Sequence, residues 1–200
     1  MTRLVLASAS PRRRELLARV GLALEVRSVD IDETPHERES PVDYVMRLAR
    51  DKARAATRRA GEWVLAADTT VTLDGMILGK AETPKEATKM LRWLSGRTHQ
   101  VLTAFALVGQ RGDQTVVREG VVTTDVTMIE LDAATLADYV ASGEWHGKAG
   151  GYAIQGIAAA LVREIRGSVT NVIGLPLAEV LAALRDAGGP LPQLASGTPS

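Results

Sequence analysis

Four short stretches of the chain gather groups able to do chemistry. The first is Ser8-Ala-Ser10-Pro11-Arg12-Arg13, between an apolar run and a helix start. Backbone N–H groups at a helix N-terminus attract anions, and two arginines add planar forks that match phosphate oxygens. Its plainer reading is a capped helix with a solvated basic first turn. Positive charge there opposes the helix dipole at a cost of roughly a few tenths of a kcal/mol, which favours the anion site. The second stretch is Asp68-Thr69, after the apolar run Val64 to Ala67. A carboxylate that follows a buried strand must be paired or bind metal, or else bond to local backbone. The third is Gly79-Lys80 with Glu82. Lys80 would meet a phosphate or simply solvent, and Lys52 has the same two readings. Asp32-Glu33 would hold a divalent cation with water completing the shell, or be a solvated acidic loop. The fourth is Gly150-Gly-Tyr-Ala-Ile-Gln155-Gly156. An amide inside an apolar stretch needs partners, and Gln155 offers one donor edge and one acceptor edge, to a ligand or to backbone.

Other chemistries are excluded. With no cysteine in 200 residues, disulfides, thiol nucleophiles and Cys-ligated zinc are absent. The three histidines are scattered, so a His-based zinc site is not expected. Gly75-xxx-Gly79-Lys80-Ala81 misses the phosphate-loop spacing by one residue and has Ala where a hydroxyl should meet magnesium. Lys plus Arg and Asp plus Glu are both 24, and aromatics are 4 %, so no nucleic-acid partner is expected. No apolar run approaches the ~18 residues of a membrane span, and no secretory signal is evident. The expected location is the cytoplasm, with no membrane partner.

Strands and helices alternate along the chain. Arg3 to Ala7 and Ala23 to Val29 read as strands, and Ser10-Pro11 opens a helix that Gly21 stops. A helix is expected over Val42 to Ala60. Trp63 to Leu73 and Met76 to Leu78 read as strands joined by an Asp74-Gly75 turn. A helix from Thr83-Pro84 to Leu94 follows, then strands Thr98 to Val108 and Thr115 to Ile129 joined by Gln-Arg-Gly-Asp. Helices are expected over Ala133 to Ser142 and Leu177 to Ala187. The fold class is α/β with a mixed sheet. Residues 1–187 are expected to form one domain, and the Pro-, Gly- and Ser-rich 188–200 a mobile tail.

Taken in order, the motifs carry a resemblance. They are Leu6-Ala-Ser-Ala-Ser-Pro-Arg-Arg13, Asp32-Glu-Thr, Arg47-Leu-Ala-x-x-Lys52-Ala, Ala67-Asp-Thr, Ile77-Leu-Gly-Lys80, Leu94-Ser-Gly-Arg-Thr-His99, Gly143-Glu, Lys148-Ala-Gly-Gly-Tyr-x-Ile-Gln-Gly and Asn171-Val-Ile-Gly-Leu-Pro-Leu. Over roughly residues 3 to 187 the chain resembles the Maf family of nucleoside triphosphate pyrophosphatases. The resemblance implies a fold similar to the inosine triphosphate pyrophosphatases, with a cleft between two lobes. It implies cleavage of the α–β phosphoanhydride with a divalent metal, Mg2+ or Mn2+, and a homodimer. It makes Asp68 the proton acceptor, and Arg12, Thr69 and Gln155 the residues that govern substrate choice. Ser8, Arg13, Lys52 and Lys80 are assigned to the phosphates, and Glu33 and Asp68 to the metal. Tyr-Ala-Ile-Gln-Gly looks like the dTTP and UTP branch, so pyrimidine nucleoside triphosphates are the expected partners, modified ones included in a house-cleaning role. A carboxamide answers the acceptor and N–H donor of a uracil or thymine edge, whereas the Glu of a sister branch suits guanine.

Two departures from the family pattern stand out. Ala81 replaces a usual Pro, which is expected to change turn rigidity alone. Trp145 and Gly147 stand where the family tends to have Pro and Asp, and a missing carboxylate beside Lys148 would alter metal or loop geometry. A rival reading is a nucleotide- or nucleic-acid-binding regulator of septum formation without turnover. Its support is the five Arg against one Glu in residues 1 to 20.

Overall fold

The computed structural model describes residues 3–192. Its order is β1 (Arg3–Leu6), α1 (Pro11–Arg19), β2 (Leu24–Val26), α2 (Pro41–Ala55), β3 (Glu62–Leu73), β4 (Met76–Leu78), α3 (Pro84–Leu94), β5 (Thr98–Arg111), β6 (Gln114–Met128), α4 (Ala133–Ala141), a 3-10 turn (Ile157–Leu161), β7 (Val162–Arg166), α5 (Val169–Ile173) and α6 (Leu177–Ala187). The strands form one sheet in the order β2-β1-β3-β5-β6-β7, with β4 also pairing β3. Pairings β1–β2 and β1–β3 are parallel and the rest antiparallel, so the mixed α/β sheet expected from the sequence is observed.

Local chemistry accounts for most boundaries. Thr83 and Glu86 form a reciprocal capping box at the start of α3, and Ser40 and Asp132 cap α2 and α4. Asp74 and Gly75 both take positive φ, 53° and 79°, as a two-residue hairpin turn between β3 and β4 requires. Ser10 precedes α1 as expected, but its side chain makes no capping bond.

Other expectations are corrected. Helix α2 ends at Ala55, not Ala60, because Ala56 turns extended and Glu62 captures the Arg59 N–H at 2.8 Å and the Arg27 guanidinium. Strand β2 is only three residues long. The β5–β6 hairpin is longer than expected and turns on Gly112-Asp113 alone, with Gly112 at φ 61°. The short α5 was not foreseen. It is opened by Ser168, which accepts the Asn171 N–H, and fixed by the fully buried Asn171. Of the expected tail, Gly189 still bonds back to Leu184 at 2.8 Å, and 193–200 lie outside the described residues.

The apolar core falls into groups that β3 links. Leu65 and Ala67 pack with α1 and α6 on one face, and Val64 and Ala66 with α2 on the other. Val71 and Leu73 pack further along, with α3 and α4. Asp68, Thr69 and Thr70 lie between these regions. Among the described residues no helix is long and apolar enough to cross a membrane.

Candidate active site

Strand β3 pairs with β5 throughout Val64–Thr72. On its other edge it pairs with β1 over Glu62–Leu65 and with β4 over Val71–Leu73. Between them, 66–70 have no strand partner on that edge among the described residues. Five residues span roughly 17 Å, so the sheet has an opening just past the C-terminal end of β1. Crevices at such strand ends are where open α/β sheets bind ligands. Asp68 therefore sits mid-strand, not at a strand end as its sequence context suggested.

A cleft of about 430 Å3 occupies this opening, and Ser8, Arg12, Arg13, Glu33, Lys52, Asp68, Thr69, Lys80 and Gln155 all line it. Successive β residues point to opposite faces. Asp68 faces α2, where Lys52 Nζ donates to Asp68 Oδ1 at 2.6 Å. Thr69 faces α1, where Arg13 donates to its hydroxyl at 3.0 Å.

On the α2 side the charges alternate in a row. Lys52 Nζ also lies 2.6 Å from Glu33 Oε1, and Lys80 Nζ lies 2.7 Å from Glu33 Oε2. Burial pushes the Glu33 carboxyl up, but the two lysine hydrogen bonds outweigh it and bring it down to about 2. The Glu33 loop is held by Tyr44, whose hydroxyl donates to the Glu33 carbonyl at 2.9 Å, and by Arg47, which donates to the Thr34 carbonyl at 3.1 Å. Asp32 turns away and accepts the Thr34 N–H at 2.9 Å, so the Asp32-Glu33 pair does not act as one unit.

On the α1 side, Arg13 is buried and donates to Gly174 O at 2.7 Å, Ser8 Oγ at 3.0 Å and Thr69 Oγ1 at 3.0 Å. Burial lowers its pKa, and the Asp68 charge opposes that. Among the described residues it has no ion-pair partner. Arg13, expected as a phosphate ligand, also acts as a strut: three of its donor atoms hold protein oxygens, leaving two N–H groups. The relay continues inward, because Thr69 shares a hydrogen bond with Thr103 at 2.9 Å and Thr103 donates to Asn171 O at 2.9 Å. Asn171 in turn donates to Val101 O and Thr124 Oγ1, both at 2.9 Å. Arg12 is half-buried and its Nε reaches Ile173 O at 3.4 Å. Burial lowers the pKa of Arg12 and of Lys148, and Arg12 lowers Lys148 further, so the two cations share one end of the cleft.

Gln155 corrects the sequence reading. It is exposed at the rim, and among the described residues its side chain makes no hydrogen bond, so it is not a buried amide in search of partners. The Ala81 departure does more than change turn rigidity. The Ala81 N–H donates to Lys148 O at 3.3 Å, and its carbonyl accepts the Gly147 N–H at 3.0 Å. A proline could not donate the first of these bonds. Trp145 is buried, and its indole closes onto Val140 O at 2.7 Å. Gly147 takes φ 64° with open space around it.

Lys148 carried a motif letter but no role in the sequence reading, and its position among cleft residues was not legible. Nor was the buried pair behind the cleft, where His99 Nε2 and Tyr152 Oη lie 2.6 Å apart.

The donor set fits a divalent cation brought with a substrate. Among the described residues no group of three or more metal-ligating side chains exists, so a protein cage is absent. Glu33 and Asp68, however, converge on one positive charge, the Lys52 ammonium. One or two carboxylates completed by phosphate oxygens and water is the usual Mg2+ arrangement.

Comparisons with known proteins cover most of the chain. A family model described as Maf-like protein matches residues 3–187. A dTTP/UTP pyrophosphatase of Anaeromyxobacter dehalogenans (strain 2CP-1 / ATCC BAA-258) is 54% identical over 190 residues, 95% of this chain and 96% of its own. One of Myxococcus xanthus (strain DK1622) is 53% identical over 196 residues, 98% of this chain and 97% of its own. A solved HAM1 protein from Coxiella burnetii aligns with 94% of this chain and 100% of its own, at 22% identity and a TM-score of 0.48.

Proposed function

The chain belongs to the Maf family, and on that premise we propose that it hydrolyses dTTP and UTP to the nucleoside monophosphate and pyrophosphate. The observation that carries this reading is the cleft itself. Nine side chains from separate segments converge on one opening in the sheet, cationic at one end and acidic at its centre.

A triphosphate carries about four negative charges, which only a cationic site can accept. Lys80, Lys52, Arg12 and Lys148 supply the positive charge, and the Ser8 hydroxyl adds a polar contact. Arg13 holds Ser8, Thr69 and Gly174 in place beneath the substrate. Asp68 accepts the proton of the attacking water. Lys52 occupies its Oδ1 and so orients the carboxylate, which leaves Oδ2 for the water. As water adds to the α-phosphorus, the bond from that phosphorus to the bridging oxygen breaks and pyrophosphate leaves. A divalent cation, Mg2+ or Mn2+, held by Glu33 and Asp68 would neutralise charge developing on the anhydride oxygens.

Gln155 at the rim reads the base edge, and Arg12 and Thr69, which also line the cleft, contribute to substrate choice. Residues 1–187 act as one domain, in the cytoplasm and as a homodimer, on the same reading.

The test is pyrophosphate release by purified protein from each NTP and dNTP, with Mg2+ and after chelation. Release from dTTP and UTP above the other nucleotides, abolished by chelator, is expected. No release from any nucleotide, together with a salt-dependent shift of DNA, would replace this reading with that of a nucleic-acid-binding regulator.

A further inference from the structure

Glu144 lies at the start of the loop that follows α4, and its carboxylate accepts three hydrogen bonds. Ile157 N–H donates to Oε2 at 2.7 Å, Ala158 N–H to Oε1 at 3.1 Å, and the Tyr139 hydroxyl to Oε1 at 3.3 Å. The two backbone donors open the 3-10 turn just after Gln155-Gly156. Bonds of this kind, to an ionised acceptor, are the stronger class. Gly156 lets the carboxylate in. A Cβ there would stand 2.0 Å from Glu144 Oε2 and 2.6 Å from Cδ.

The other end of the segment is fixed separately. Gly147 N–H reaches Ala81 O at 3.0 Å, Gly150 N–H reaches Gly79 O at 3.1 Å, and Tyr152 Oη lies 2.6 Å from buried His99. Gln155 lies between these anchors, exposed and, among the described residues, with no side-chain hydrogen bond. Among the described residues, the backbone on either side of it is what fixes where its amide points. We propose that Glu144, admitted by Gly156, is a specificity-positioning residue: its carboxylate latches the backbone after Gln155 and so sets the base-reading amide.

This rests on the reading that Gln155 meets the base, and the variants separate the two ideas. Glu144→Gln keeps the shape and removes the charge. It is expected to lower the preference for dTTP over dGTP, as a ratio of kcat/KM, by roughly tenfold, since small misplacements of a reading group are costly. Inhibition by inorganic tripolyphosphate, which has no base, should change less than about twofold, because the 147–152 contacts anchor Lys148, and Arg12, Lys52 and Lys80 come from other segments. Gly156→Ala should imitate Glu144→Gln, and adding it to Glu144→Ala should cost little more. Tyr139→Phe should leave the preference intact. If Gln155→Ala leaves the preference unchanged, the base-reading role falls, and the latch with it. If Gln155→Ala alters the preference but Glu144→Gln and Gly156→Ala do not, the latch alone falls. Loss of tripolyphosphate inhibition in step with the dTTP preference would also overturn it, by showing general damage to the site.

Discussion

Lys52 Nζ stands 2.6 Å from Asp68 Oδ1, and the same nitrogen stands 2.6 Å from Glu33. Lysine on a helix, aspartate in mid-strand and glutamate on a loop thus share one buried charge centre. Removing one member of such a set leaves a poorly solvated charge behind, which costs more than the set contributes as a whole.

Asp68→Asn is therefore expected to separate chemistry from binding. Turnover of dTTP should fall by at least roughly a hundredfold, the scale of a lost general base. Affinity for a non-hydrolysable dTTP analogue, measured calorimetrically, should stay within about threefold. Turnover within tenfold of the unaltered protein would remove Asp68 from proton transfer.

Arg13→Lys tests the strut. Lysine has no planar fork and cannot hold Gly174 O, Ser8 Oγ and Thr69 Oγ1 together. Stability in urea should drop by about 2 kcal/mol, the scale of buried charge-assisted hydrogen bonds. Dependence of kcat on Mg2+ concentration should be unaltered, since Arg13 lies on the opposite face of β3 from Glu33 and Asp68. A stability change below about 0.5 kcal/mol with lost substrate binding would make Arg13 a phosphate ligand instead.

For Gln155→Glu, folding and specificity should part. The side chain is exposed and makes no hydrogen bond among the described residues, so the change in stability should stay within roughly 0.5 kcal/mol. Activity on dTTP and UTP should fall about tenfold or more, because a carboxylate cannot donate to the pyrimidine carbonyl. An unaltered substrate profile counts against the base-edge role.

Acid sensitivity should reveal His99. Burial lowers its pKa from 6.5 to about 4, so between those values the unfolded chain binds a proton that the folded chain refuses. Stability then rises with pH across this window: it is fully present above about 6.5 and lost as pH falls towards 4. Denaturation midpoints in urea should decline from pH 6.5 to 4.5, and His99→Gln should flatten that decline. Glu33, held down to about 2, adds its own loss only below about 4.5. Equal slopes in both proteins over pH 6.5 to 4.5 would show that His99 is not the group responsible.

Much of this arrangement was legible before any tertiary structure. Cap residues, the Asp74-Gly75 turn and apolar patterning marked nearly every element, because those signals act within a few residues. Collinear motifs singled out the nine cleft residues. Where local signals were misleading or silent, a partner elsewhere intervened: Glu62 cut α2 short, and buried Asn171 built α5 in a stretch where the sequence marked no element.

The alternation of β3 by itself determined that Asp68 and Thr69 point to opposite faces, since that follows from strand geometry alone. Only the tertiary structure decided what each face meets. The edge of β3 is open at 66–70 because β1 stops at Leu6 and β4 begins pairing at Val71, a matter of strand lengths far apart in sequence. The Arg13 relay, the exposure of Gln155 and the Glu144 contacts likewise join segments that pattern cannot connect. Side chains and backbone groups so far apart become partners only when packing closes the loops between them, and that closure is a property of the whole chain.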